Sequence, residues 1–146
     1  RMLRCVKPGG WVVLEEPDFQ AARAVAGSEE GRASFGRVSE AIERMFSSLG
    51  MDHALGVRLP ALFQRHDLTQ LTVEHEGHLS AGGGMVAQMM KLSAEQLREK
   101  YLATGMVSDA DIEQYGRLAD DPDSWVIYYA TVAVTGWWQP PCGGRM

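Results

Sequence analysis

The sequence has little of what nucleic-acid-binding and membrane proteins need. It carries 14 Lys and Arg against 19 Asp and Glu, a formal net charge of −5, and its basic residues are scattered, whereas phosphate binding needs them clustered. The longest apolar stretch, residues 125–134, is far short of the roughly 20 residues that span a membrane, and no signal-peptide layout is present. We therefore expect no nucleic-acid partner, no membrane span and a cytoplasmic location.

Cysteine is equally scarce. Cys5 and Cys142 lie far apart and form no CxxC motif, which predicts free thiols in a reducing compartment. His75 and His78 could be taken for a metal pair, but their spacing where a strand passes into a loop gives them no common face, and no further ligand is evident. The sequence thus predicts no metal site.

The first 14 residues predict a helix end, a turn and a buried strand. Residues 1–6 resemble the last turns of a helix that begins earlier. Pro8 then disfavours helical geometry at Lys7, and the two glycines that follow permit a tight turn. The continuous apolar run of residues 11–14 suits a strand covered by helices on both faces.

The middle of the chain predicts two helices and a second strand. Residues 28–50 carry apolar side chains spaced by threes and fours along one face. A shorter helix is predicted from about Val57 to His66, with Pro60 tolerated in its first turn. Residues 71–76 alternate as a strand with one solvated face does, and a glycine-rich loop is predicted over residues 77–84.

Two capping boxes and one β-rich segment organise the remainder. Ser93 with Gln96, and Ser108 with Asp111, each predict the start of a helix. Residues 125–134 are rich in β-branched and aromatic residues and predict a long strand. The domain is expected to cover residues 1–136, followed by a frayed tail at residues 137–146.

Taken in order, these segments resemble the C-terminal part of class I S-adenosylmethionine-dependent methyltransferases. The turn at residues 7–10, the strand at 11–14 and the acids after it resemble the fifth-strand region of that family. Residues 58–63 and 66–68 resemble the helix and turn before the sixth strand, where glycine commonly replaces Asp67. The strand at residue 125 resembles the seventh, which in that family runs antiparallel between the fifth and sixth.

The resemblance implies an α/β fold with the fifth to seventh strands of a Rossmann-like sheet. The helices at about residues 28–50 and 85–119 are then additions that form a lid over the substrate. The implied reaction is transfer of the sulfonium methyl group of S-adenosylmethionine to an oxygen, nitrogen or carbon of a small molecule. The alternative is a non-catalytic interaction or dimerisation domain derived from such an enzyme.

The family's cofactor fingerprint is missing from the sequence. Neither the glycine-rich loop after the first strand nor the acid that ends the second can be located, so we predict weak or no S-adenosylmethionine binding by this chain alone and assign no cofactor-binding residue. Gly82, Gly83 and Gly84 lack GxGxxG spacing and favour a flexible hinge or lid instead.

Candidate site residues follow the first strand and the glycine-rich loop. Ligands of open α/β sheets bind outside the carboxyl ends of strands, so Glu15 and Glu16 are candidate catalytic bases and Asp18 a candidate substrate-binding residue. Because side chains alternate along a strand, at most one of the two glutamates points directly into a pocket. The competing interpretation is a solvated strand end. His78, in a loop over the presumed pocket, is a further candidate base.

Three methionines at helical spacing, Met85, Met89 and Met90, predict a core stripe or, alternatively, an adaptable wall for an apolar substrate. Met85 and Met89 are therefore candidate substrate-binding residues. The apolar strand at residues 11–14 also lacks the neighbour that a complete sheet would give it and has no charge to protect its edge. We expect this edge to pair with a second copy, giving a homodimer.

Overall fold

A central strand with partners on both sides organises the fold. The computed structural model describes residues 2–139. Their strands are β1 (Gly10–Asp18), β2 (Arg23–Ala26), β3 (Leu68–Ala81) and β4 (Trp125–Trp138). Their α-helices are α1 (Glu29–Ser48), α2 (Leu55–Arg65), α3 (Met85–Gln96), α4 (Arg98–Leu102) and α5 (Asp109–Asp120). Short 3-10 helices cover Met2–Cys5 and Phe19–Ala21.

β4 pairs antiparallel with β1 and β2 along one edge and with β3 along the other. Leu14 of β1 and Val73 of β3 both face Val134 across the sheet. Because both neighbours run opposite to β4, β1 and β3 run parallel to each other. This confirms the predicted mixed α/β fold and the antiparallel last strand between the two earlier ones.

A β-bulge in β4 reverses which residues face each side of the sheet. Gly77 lies opposite Ala130, whereas Leu79 lies opposite Ile127, so two steps along β3 match three along β4. Tyr128 and Tyr129 together therefore lie opposite the single residue His78. This extra residue inverts which side chains of β4 face each side of the sheet on either side of the bulge. In agreement, Ile127 and Ala130 both approach Gly77. Val126 and Tyr128 consequently face the side opposite to Val132 and Val134.

Helix α2 covers one side of the sheet, which we call the α2 face. Leu59 and Phe63 of α2 are buried against Val132 and Val134 of β4. Gly56 permits this close approach, since an added Cβ would lie 3.1 Å from Val132 and 3.2 Å from the carbonyl oxygen of Glu16. The α2 face of β1 is correspondingly buried at Val12, which is 8% exposed.

The other side, the lid face, is covered by α1, α3, α4 and α5 only near the start of β4. There Phe35 stacks on Tyr115 with ring centroids 5.6 Å apart, and Tyr128 meets both rings edge-on. Toward the other end of the sheet Trp11 and Val13 are 54% and 63% exposed. The prediction that β1 is covered on both faces is therefore wrong for the residues described, because no helix among them lies over this end of the lid face.

The helix boundaries confirm some sequence signals and correct others. Ser28 caps α1, and Ser108 and Asp111 form the predicted capping box of α5. The box predicted at Ser93 is wrong: α3 runs through it, and the Ser93 hydroxyl donates to the carbonyl oxygen of Met89 at 2.9 Å. A serine that bonds back into its own helix gives the same sequence signal as a cap. Pro60 lies in the second turn of α2, because that helix begins at Leu55.

Both long strands extend beyond their predicted ends. β3 continues to Ala81 through most of the segment predicted as a glycine-rich loop. β4 includes Trp137 and Trp138, which had been assigned to a frayed tail; residues 140–146 of that tail lie outside the described part. Pairing along the whole length of β4 explains both extensions, since Leu68 lies opposite Trp138 and Ala81 opposite Trp125.

Candidate functional site

Two adjoining cavities form a groove on the lid face, beside the carboxyl end of β1. The larger holds about 360 Å³ between the sheet and α3, and the smaller holds about 180 Å³ over β4 and β3. They share Glu15 and Thr131 in their walls. The larger is also lined by Glu16, Pro17, Phe19, Met89, Met90 and Tyr129, and the smaller by Glu74, Glu76, His78 and Ala133.

Among the predicted site residues, Glu15 is the one that lines both cavities of the groove. Exposure alternates along β1, and Glu15 shares the exposed face with Trp11 and Val13, whereas Glu16 falls on the side of Val12. The two glutamates therefore face opposite ways, as predicted from strand geometry. Glu16 borders the larger cavity, but only Glu15 borders both.

Asp18 lies on the opposite side of the sheet from the groove. It is 4% exposed, pairs with Ala130 on the α2 face and accepts a hydrogen bond from the backbone N–H of Gln20 at 3.0 Å. The imidazole Nε2 of His75 lies 3.3 Å from its other carboxylate oxygen. These contacts make Asp18 a cap of the following 3-10 turn and place it outside the groove, so the groove lends no support to its predicted role in substrate binding.

His78 faces the groove from β3 rather than from a loop. It lines the smaller cavity together with Glu15, and its Nε2 atom lies 3.9 Å from a carboxylate oxygen of Glu76. It sits opposite the bulge of β4, between the pairs formed by Gly77 and Leu79. Its position beside Glu15 is compatible with the predicted role of a proton-accepting base.

The methionines of α3 divide between solvent, groove and core. Met89 lines the larger cavity and is 45% exposed, and Met90 packs against both the cavity and the helical core. Met85 is 88% exposed and does not line the groove. The core stripe is therefore wrong for Met85 and Met89, and the substrate-binding assignment of Met85 finds no support in the geometry.

Sequence inspection missed the groove residues contributed by the other strands. Glu74 and Glu76 face the same side as Glu15, because Glu74 lies opposite Ala133 and Glu76 opposite Thr131. The alternation of polar and apolar residues at 71–76 was visible in the sequence. The register of β3 against β4, which the sequence does not give, would have identified these two glutamates as groove residues. Tyr129 was not predictable, because the bulge that turns it toward Phe19, with ring centroids 6.0 Å apart, leaves no mark in the sequence.

Comparisons with known proteins give no family assignment. Neither the family models nor the curated proteins contain a match to this chain. Its functional interpretation therefore rests on the residues and their geometry.

Residues 2–139 also lack a membrane-spanning helix and a metal-binding cluster. None of the helices there is long and apolar enough to cross a membrane. Within the same residues no group of three or more His, Cys, Asp or Glu side chains is arranged to hold a metal ion.

The glycine cluster between β3 and α3 does not fit a cofactor loop. The amide nitrogens of Gly82, Gly83 and Gly84 donate to the carbonyl oxygens of Ser124, Ala119 and Ala81, at 3.1, 2.8 and 3.1 Å. None of these three glycine amides is left free for a ligand carboxylate or phosphate. The same three bonds would have to break for the segment to bend, so the geometry favours a fixed turn over the predicted hinge.

An ion pair joins two of the lid helices. Asp111 of α5 accepts from Arg37 Nε of α1 at 2.7 Å and from the Ser108 backbone at 2.9 Å. The Arg37 hydrogen bond, followed by that from Ser108, lowers the pKa of Asp111 to about 2 from 3.8. Helices α1 and α5 are therefore held together by a charged contact as well as by their aromatic core.

We expect Asp111→Asn to destabilise the protein by about 1–2 kcal/mol at pH 7, since Arg37, itself partly exposed, loses the carboxylate that it pairs with. Because the folded pKa is depressed, this contribution is complete above about pH 4 and disappears as the pH falls toward 2. Urea unfolding of both proteins at pH 7 and pH 3 measures the difference. Glu40→Gln, at an exposed position on α1 and in no ion pair among the described residues, is the control. An Asp111→Asn deficit that does not shrink at low pH would contradict the assignment.

Proposed function

We propose that this chain is the C-terminal portion of a class I methyltransferase domain and carries its groove for a small-molecule methyl acceptor. The observation that carries the proposal is the sheet order, in which β4 lies antiparallel between β1 and β3. The resemblance implies this order for the fifth, seventh and sixth strands. The Lys7 to Gly10 turn before β1 and helix α2 between β1 and β3 also stand where the resemblance expects them.

A backbone detail at the end of α2 supports the same proposal. Asp67 has φ of 59°, in the left-handed region that glycine adopts most readily. The family commonly has glycine at the corresponding position. The left-handed backbone at Asp67 thus gives a physical reason for the glycine that the family commonly has at this position.

The groove has the dimensions and chemistry expected for an acceptor site. Cavities of about 360 and 180 Å³ that share a wall suit a small molecule. Glu15 and His78 lie in the same smaller cavity, where either can accept a proton from an acceptor hydroxyl or amine. Met89, Phe19 and Tyr129 supply the apolar wall that would position the acceptor and exclude water.

S-adenosylmethionine itself does not fit the residues described here. The one glycine cluster among them uses its three amides within the fold. The acids at the end of β1 follow the strand that resembles the fifth, whereas the family holds the ribose with an acid at the end of the second. The proposal therefore assigns acceptor binding and proton removal to this chain, and leaves the cofactor to residues outside the described part.

The reading frame that contains this chain tests the proposal. We expect the codons before Arg1 to encode a glycine-rich strand, loop and helix, followed by a second strand that ends in an acid. Sequencing of the genomic region and of its transcript gives the answer. An in-frame stop codon, or an unrelated domain directly before Arg1, would contradict the proposal.

A further inference from the structure

The two ends of the groove have different chemistry. At the β3 end, Glu15, Glu74 and Glu76 line one cavity of about 180 Å³. At the α3 end, the walls are aromatic and thioether side chains, with Phe19 and Tyr129 in tilted contact and Met89 and Met90 facing them. A ligand that fills both ends must combine a group suited to carboxylates with an apolar body.

The carboxylates of the groove lack a cationic protein partner. The ion pairs formed by Lys and Arg in the described residues are with other acids, as Arg37 with Asp111 and Lys91 with Asp120. Neither Glu15 nor Glu74 takes part in an ion pair within that part of the chain, and Glu76 meets only His78. No Lys or Arg lines either cavity. Like charges on one wall repel, and a cationic ligand would relieve that repulsion.

The β-bulge determines which of two neighbouring tyrosines lines the groove. It sends Tyr128 into the helical core, where it is 3% exposed, and leaves its neighbour Tyr129 lining the larger cavity. Bulges of this kind recur beside functional sites, where they redirect a side chain. An aromatic ring within reach of a carboxylate cluster is also a favourable surface for an organic cation.

From these features we infer that the groove binds a small organic cation, an amine or ammonium group attached to an apolar body. The ammonium group lies between Glu15 and Glu74, and the apolar body lies against Met89, Phe19 and Tyr129. This inference rests on the proposed function in one respect only: if the chain belongs to a methyltransferase, the acceptor is of this class.

A set of three probes with one phenyl ring tests the inference: 4-phenylbutylamine, 4-phenylbutanol and 4-phenylbutyrate, titrated into the 146-residue chain by NMR. We expect the amine to bind about tenfold or more tightly than the alcohol and the carboxylate to bind weakest, with shifts at Tyr129 and Thr131. Equal affinities for the three probes, or shifts confined to other surfaces, would overturn the inference.

Matched variants separate charge from shape. Glu15→Gln should weaken binding of the amine about fivefold to tenfold while leaving the alcohol unchanged, because only the amine loses an ionic partner. Glu40→Gln, at an exposed position on α1, should change neither affinity. An equal loss for amine and alcohol in Glu15→Gln would show a change of shape and contradict the ionic contact.

The outcome is separable from the proposed function. Preferential amine binding together with an unrelated upstream reading frame would support the cation-binding groove and contradict the methyltransferase proposal. An upstream cofactor fingerprint with no preference for the amine would support the methyltransferase proposal and contradict the cation-binding groove.

Discussion

Gly82→Ala is expected to be among the most destabilising single substitutions in this chain. A Cβ at this position would lie 1.9 Å from the backbone carbonyl oxygen of Asp121 and 2.6 Å from the Ser124 hydroxyl. Because a backbone atom cannot rotate away as a side chain can, the turn between β3 and α3 must shift and strain its hydrogen bonds to Ser124 and Ala119. We expect a loss of about 3 kcal/mol or more in the free energy of unfolding, measured with urea.

Gly36→Ala is the matched control for this substitution. Gly36 is exposed within α1, and nothing lies within 4 Å of an added Cβ. Alanine there should stabilise the helix by about 0.5–1 kcal/mol. The backbone amides of Gly82 and Gly83 should also exchange slowly, since they are hydrogen-bonded to the carbonyl oxygens of Ser124 and Ala119. Equal stability of the two alanine variants, or rapid exchange at these amides, would contradict the fixed turn and support the predicted hinge.

We propose that the β1 edges of two copies pair, and we expect Val13→Lys to convert the resulting homodimer into a monomer. β1 pairs only with β4 among the described strands, so its second edge is open there. Antiparallel pairing of two β1 edges places the basic Lys7 end of one copy near the acidic Glu15 end of the other, and it brings Trp11 and Val13 of both copies onto one face. Lysine at position 13 sets like charges near the two-fold axis and should raise the dissociation constant about tenfold or more.

Sedimentation at low micromolar concentration measures this equilibrium. Val13 is 63% exposed, so the substitution should leave the fold intact and allow a direct comparison. Val73→Lys is the control, since Val73 is 48% exposed on β3, whose edge already carries charged side chains such as Glu74 and Glu76. A wild-type protein that sediments as a monomer would contradict the dimer, and an equal effect of both lysines would contradict this interface.

Local sequence signals predicted the elements of this fold well where a short segment decides its own structure. The apolar spacing over residues 28–50 predicted α1, and the Ser108 capping box predicted the start of α5. The antiparallel position of β4 was also predicted, although from the resemblance rather than from its residues. Its continuous apolar and aromatic run says only that it is buried on both faces.

The site was less predictable because it depends on register and on neighbours. Glu15 was found from its place at a strand end, but Asp18, three residues on, turned out to cap a 3-10 turn on the other face. The bulge at Tyr128 and Tyr129 inverts the alternation that strand patterns depend on. Burial of Trp11 and Val13 was predicted from their apolar character alone, whereas their exposure depends on which helices cover the lid face.

The most direct test of the proposed methyltransferase origin is a calorimetric titration with S-adenosylmethionine. Two proteins are compared: this 146-residue chain and the full product of the reading frame that contains it. The account predicts no measurable binding by the chain alone, because its glycine cluster has no free amide donor, and a micromolar dissociation constant for the full product. Micromolar binding by the chain alone, or no binding by the full product, would contradict it.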